Sequence, residues 1–345
     1  MPDQNKEFEK EHLRNLQNYQ KEVEQEYLRT IEEVFQFVAL TTFAAEVFRL
    51  SDYPVLKNQI DESLRKFRDR IYNIITRAIR AEWGLSNRKN NAVIKEAYGQ
   101  VSEQVLASLQ SKPEAVTNFI NRYQRRLKLS DRVWKLHGQF YQEIEMNLYA
   151  GIAEGKAARR MAAEMKQFLK EPDRLFRRVR DAKGRLVLSG PARAYKPGVG
   201  IYRSSFKNAL RLTATETNAS YRTADQQRWR KTPFVLGYEI RLSKNHKTFD
   251  ICDHLAAVYP NTFVWQHWHP FCICHCIPVL VSPEQYDKYE DAIINGTADS
   301  FKFDGKIKDV PQQFKNYVSN NMEKMEGWRR LPMWLMDNKR FIKQD

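Results

Sequence analysis

Cysteine is absent from residues 1–251 and from residues 277–345 of this 345-residue chain. A disulfide framework would distribute its thiols over the fold, so such a framework is excluded and a reducing compartment is implied. Long apolar runs are also missing. The longest, Val34 to Leu50, is interrupted by Gln36, Thr41, Thr42, Glu46 and Arg49, which is too polar for a bilayer span. The opening MPDQNKEFEKEH is acidic and polar; without a basic n-region or an apolar h-region, no secretory signal and no membrane partner are expected. The chain has no Gly-rich phosphate loop, no Ser–His–Asp order and no helical HExxH. The signature-bearing nucleotide-binding, serine-hydrolase and zinc-protease classes therefore lack their motifs. No internal repeat and no low-complexity tract is present.

What cysteine there is lies together: Cys252, Cys272, Cys274 and Cys276, accompanied by five of the seven histidines, His246, His254, His267, His269 and His275. Thiolate and imidazole are the donors zinc prefers, and a zinc site commonly takes two ligands from each of two segments. Cys252 and the run His269-Pro-Phe-Cys272-Ile-Cys274-His-Cys276 supply such segments, with a loop of suitable length between them. The preferred ligand set is Cys252, His269, Cys272 and Cys274, with His254, Cys276 and His246 as alternates. Strand-like alternation predicts that the sulfurs of Cys272, Cys274 and Cys276 share one face. The competing reading is a group of reduced, buried cysteines. A thiolate-rich zinc is a poor Lewis acid, and a catalytic one needs an open position, so the expectation is a closed structural site.

Basic charge is concentrated. Of the net +15, the segment Lys156–Lys231 contributes 20 Lys and Arg against 6 Asp and Glu. Such a block attracts a polyanion or an acidic protein surface, and Arg174, Arg177, Arg178, Arg180, Lys183 and Arg185 are its candidate contacts. Around it, helical periodicity dominates from about residue 6 to 170, with Ile31, Val34, Phe35 and Val38 on one face. A second helix over 55–83 is expected to close at Gly84, followed by shorter helices over 90–109 and 113–127. A long helix from Ser130-Asp131 towards Leu169 follows, weakened at Gly151 and Gly155. Residues 171–200 read as a basic linker or hairpin, 234–242 and 277–281 as strands, 202–229, 283–295 and 311–325 as helices, and 328–345 as a basic aromatic tail. The fold class is α+β: a long helical N-terminal region (1–170), the linker (171–200), a small mixed α+β domain with a zinc staple (201–300), and a C-terminal helix and tail (301–345).

The helix entering the cluster carries Thr-Glu216-Thr-Asn218 and Tyr-Arg222-Thr-Ala-Asp225. These residues either orient the loop behind the cluster or are the acids and amides of a charged amphipathic helix. The order of parts, this helix, then GYEIRLS, then Asp-Ile-Cys252-Asp, then Trp-His-Pro-Phe-Cys272-Ile-Cys274, resembles the phage Mu F-like head morphogenesis family of minor head or minor capsid proteins. The similarity spans roughly Leu148 to Leu280. Two positions depart from the family pattern: Phe249 stands where a further cysteine is common, and Ile273 where an arginine is common. The resemblance implies a virion component of a tailed-phage head, made in the host cytoplasm. Its partners would be the portal, other head proteins, further copies of itself and double-stranded DNA. The alternative is a zinc-dependent enzyme acting on nucleic acid or protein, with Glu216, Asp225 or Asp253 as its acid or base.

Overall fold

The computed structural model describes residues 3–43, 48–175, 178–180, 182–188, 195, 200–327 and 331–342. Six helices lead: α1 (Asp3–Ala39), α2 (Pro54–Tyr98), α3 (Glu103–Ser108), α4 (Glu114–Asn121), α5 (Leu129–Ala153) and α6 (Ala158–Lys170). A short antiparallel hairpin follows, β1 (Arg178–Arg180) and β2 (Leu186–Leu188), turned through Gly184 at φ 74°. Next come α7 (Ser205–Lys231), β3 (Val235–Arg241), α8 (Ile251–Leu255), β4 (Val258–Tyr259) and β5 (His275–Leu280), and then α9 (Pro283–Ile294), α10 (Gln312–Glu326) and α11 (Met333–Met336). The fold is α+β with a long helical N-terminal region.

Two helix boundaries differ from the periodicity reading. Gly84 does not end a helix; α2 continues through it to Tyr98, and the break falls at Gly99, which takes φ 75°. One interior glycine costs about 1 kcal/mol, less than the burial of Leu85, Val93 and Ile94 beyond it returns. The expected long helix from Ser130 divides at residues 154–157, where Gly155 adopts φ 62°. The chain folds back there, and Gly151 makes this reversal tight. A Cβ at 151 would lie 2.1 Å from Met161 Sδ.

The chain clusters into two compact units, each assembled from separated segments rather than consecutive ones. One comprises residues 17–77 and 120–214. Its centre is Tyr27, whose ring meets Phe67, Phe140 and Phe206 at centroid distances of 4.7, 4.6 and 5.3 Å. Each such ring, fully buried, contributes on the order of 2 kcal/mol. Glu143 is buried in this unit, accepting from the backbone N–H (2.7 Å) and hydroxyl (2.6 Å) of Ser205 at the start of α7. Burial pushes its carboxyl up to about 7, and the Ser205 hydrogen bonds only partly offset that. A raised folded-state value makes the protonated acid the stabilising form. Its contribution is fully present below the ordinary value of 4.5 and is lost as pH rises through about 7. Denaturant titrations across that window should show stability falling by up to about 3 kcal/mol. Glu143→Gln should flatten the fall, and an unchanged profile in that variant would assign the dependence elsewhere.

The second unit comprises residues 1–16, 78–119 and 215–345. Its sheet has the order β4-β3-β5, all antiparallel, with Tyr238 opposite Tyr259 on one side and Ile240 opposite Cys276 on the other. Central β3 needs Gly237. A Cβ there would approach Ile307 Cδ1 and the Tyr259 carbonyl to 2.6 Å each. One core cluster joins Trp229, Tyr238, Tyr259, Phe263, Trp265 and Trp268 to Phe314, Trp334 and Leu335, and it includes all four cysteines. The C-terminal segment is thus part of the core where it is described; residues 328–330 and 343–345 of the sequence-defined tail lie outside the described residues. No described helix is long and apolar enough to cross a membrane.

Candidate metal centre

The sequence Asp250-Ile-Cys252-Asp253 builds its own geometry. Asp250 is the N-cap of α8, accepting from the Cys252 backbone N–H at 2.7 Å, while Asp253 accepts from the Asp250 backbone N–H at 2.8 Å. This reciprocal cap fixes Cys252 in the first turn of α8. The other donors come from the loop before β5, where Phe271 takes φ 62°, a strained conformation for a large side chain. That reversal brings two groups back to Cys252. His269 Nε2 lies 3.1 Å from its sulfur, and Cys272 Sγ lies 3.8 Å from it. The Nδ1–H of His269 donates to the Pro270 carbonyl at 2.7 Å. A carbonyl can only accept, so Nδ1 is the nitrogen turned to it, and Nε2, which faces the Cys252 sulfur and Asp250 Oδ2 at 3.2 Å, is the atom placed to meet a metal. Cys252, His269 and Cys272 therefore form a group that can hold a metal ion. A second, overlapping group of this kind is His246, Asp250 and Cys252.

Cys274 is buried nearby and its thiol affects those of Cys252 and Cys272, but it belongs to neither of these groups. Hydrogen bonds from Cys252 and Cys274 hold the Cys272 thiol well below its ordinary range, with the Arg222 charge adding to them. The thiol of Cys252 is raised in turn, first by Cys272.

The loop is held from behind by α7. Buried Arg222 donates to three backbone carbonyls, those of Gln266 (2.5 Å), Cys272 (2.7 Å) and Cys274 (2.6 Å), and lies over the Trp265 ring at 4.6 Å. Asn218 Nδ2 adds a longer contact to the Cys272 carbonyl, 3.4 Å. Its Oδ1 meets His12 Nε2 at 2.7 Å, and His12 Nδ1 meets Glu82 at 2.5 Å. Glu216 is fully buried and acts on His267. Burial, reinforced by Arg222, pushes that imidazole down to about 4, so it is neutral at ordinary pH. Asp225 belongs to a different network, accepting from Lys89 (2.5 Å), Ser86 (2.6 Å) and Asn90 (2.7 Å), all buried.

Two of the alternates, Cys276 and His254, are placed apart, whereas His246 lies within reach of Cys252. Cys276 does not share a face with Cys272 and Cys274, as alternation predicted; its sulfur lies 3.9 Å from Asp225. Alternation applies only within a strand, and β5 begins at His275, after the Phe271 reversal. His254 is exposed and packs against Phe249 and Tyr317. Two residues apart on a helix point to nearly opposite sides, so Cys252 turns inward and His254 outward. His246 sits between, bonded to Asp253 at 2.9 Å and 3.8 Å from Asp250, and Asp253 raises its pKa. Phe249, at the position where the resembled family commonly has a cysteine, is 73 % exposed. Of the basic candidates, Arg174 pairs with Glu171, and Lys183 and Arg185 are exposed between β1 and β2. The side chains of Arg178 and Arg180 lie outside the described residues, as does all of Arg177.

Sequence reasoning passed over Asp250 as a ligand candidate. Its Oδ2 is 3.2 Å from His269 Nε2. The signal was present as Asp-x-x-Asp at the start of α8, a helix-capping pattern that places a carboxylate two residues before the first cysteine. The pairing of α7 with His12 and Lys89 left no local signal. No protein-family model, no curated protein and no solved structure matches this chain.

Proposed function

We propose that this chain is a structural and assembly component of a tailed-phage head, in which zinc staples the domain that contains the Cys/His cluster. It is placed in the virion after synthesis in the host cytoplasm, associated with the portal and other head proteins and with copies of itself. The phage assignment rests on the motif order from Glu216 to Cys274. The observation that supports a staple rather than a catalytic centre is burial. Cys252, Cys272 and Cys274 are 1, 2 and 2 % exposed, and the backbone behind them is fixed by Arg222 and the Asp250 cap. A catalytic zinc keeps a position open to substrate.

The donor set fits zinc. Bonds of about 2.3 Å to two thiolates at the tetrahedral angle place the sulfurs about 3.8 Å apart, which is the Cys252–Cys272 separation. Cys252, His269, Cys272 and Cys274 would hold the ion, with Asp250 the nearest carboxylate. Two of the carboxylates that an enzyme reading would use are already committed: Asp253 to the α8 cap and His246, and Asp225 to Lys89.

Mass spectrometry of virions from the genome that encodes this chain should detect it at a few copies per head; virions lacking it would refute the assignment. Contact with packaged DNA through the basic segment carries its own signature. Affinity for duplex DNA should fall steeply with salt, and neutralising Arg177, Arg178 and Arg180 together should make the log–log slope shallower by about 3. A salt-independent affinity would exclude phosphate contacts there.

A further inference from the structure

Asn338 is fully buried and fastens the C-terminal segment to the loop after β4. It accepts from the Val264 N–H at 2.8 Å and donates to the carbonyls of Val264 and Trp334 at 2.7 Å each. Trp334 and Leu335 anchor the same segment in the core. Lys339 and Arg340 follow immediately, and this docking sets them beside Arg230, the penultimate residue of α7. The two guanidinium groups are aimed by consecutive carbonyls: Arg230 Nε donates to Asn261 at 2.9 Å, and Arg340 Nη2 to Thr262 at 2.5 Å. With Lys339 they line an open cleft of about 450 Å³.

Elsewhere on the chain, arginines of this kind pair with carboxylates, as Arg65 does with Glu62 and Arg70 with Glu26. Among the described residues, Arg230, Lys339 and Arg340 form no ion pair. Asp337 shares the cleft but bonds to none of them, and burial raises its pKa. Three cations facing one carboxylate leave a net positive cleft whose members repel one another, so a bound anion stabilises it. Planar guanidinium groups match phosphate oxygens in forked geometry. The cleft also lies at the end of the segment 156–231 that carries the chain's excess positive charge, which favours a polyanion over a small acid.

We propose that Arg230, Lys339 and Arg340 form a phosphate-binding cleft that takes the phosphodiester backbone of nucleic acid. The site is separate from the residue 174–185 segment and does not require the head-assembly reading.

The test is fluorescence anisotropy of the full chain with a mixed-sequence DNA duplex of about twenty base pairs over a salt series. Arg230→Gln/Arg340→Gln should weaken binding roughly tenfold at low salt and make the log–log salt slope shallower by about 2. Lys308→Gln/Lys324→Gln, which removes the same charge from exposed positions of the same unit, should lose clearly less. Asp337→Asn should tighten binding, a gain that a misfolded variant cannot mimic. Inorganic phosphate at matched phosphate concentration should compete poorly. Losses equal to those of the lysine control, an unchanged slope, or weaker binding in Asp337→Asn would overturn the cleft. Competition by inorganic phosphate as effective as that by duplex would overturn the nucleic-acid assignment in favour of a small-anion site.

Discussion

Stripping the metal with a strong chelator, or replacing Cys272 by serine, is expected to lower the thermal midpoint of the unit containing residues 215–345 by about 10 °C or more. A structural zinc contributes folding free energy directly, because the ligands are brought together only in the folded chain. A loss of a few kcal/mol in a unit of this size moves the midpoint by that much. The readout is specific. Trp265 and Trp268 are buried in the same core cluster as the four cysteines, so their near-ultraviolet dichroism should collapse at the lower midpoint. The melting of helices around Tyr27, whose aromatic contacts lie in the other unit, should move far less. A chelated protein with an unchanged midpoint would mean that the cluster is a set of reduced, buried thiols.

The second large effect belongs to Asp225. Replacing it with alanine should cost about 3–5 kcal/mol. Among the described residues the change leaves Lys89, which is 0 % exposed, with only Glu9 at 3.3 Å as an ion-pair partner; it also removes the acceptor of the Ser86 hydroxyl and leaves Asn90 Nδ2 with the Ser86 carbonyl alone. The lysine would remain poised over the rings of Tyr221 and Trp229, at 4.3 and 5.8 Å, but an aromatic face replaces little of a lost ion pair. Combining Asp225→Leu with Lys89→Met should recover much of the loss, because the desolvation of both charges disappears with them. Chemical denaturation of the single and double variants checks both outcomes. A single variant within about 1 kcal/mol of the parent would show that water reaches this pair.

Much of the helical scaffold was legible because its signal is local. Ile31, Val34, Phe35 and Val38 repeat at helical spacing, and all four are buried. The strand expected over 234–242 is β3, within a residue at each end. Gly84 misled because an interior glycine is a small local penalty, and packing on both sides of it outweighs that penalty. Cys276 misled because strand alternation was run from Cys272, although the strand begins only at His275. The links from His12 to Asn218 and from Lys89 to Asp225 span 206 and 136 residues. Nothing in a local window distinguishes those acids and amides from an ordinary charged helix face. The grouping of residues 1–16 and 78–119 with 215–345 follows from such long-range pairings, and no composition boundary announces it.

The central claim is that Cys252, His269, Cys272 and Cys274 hold a zinc ion while Cys276 serves the neighbouring Asp225 network. Metal content measured on the purified parent chain, Cys252→Ser and Cys276→Ser tests it most directly. The account predicts about one zinc per chain in the parent and in Cys276→Ser, and under about a tenth of that in Cys252→Ser. A parent chain without zinc, or equal loss from the two serine variants, would contradict it.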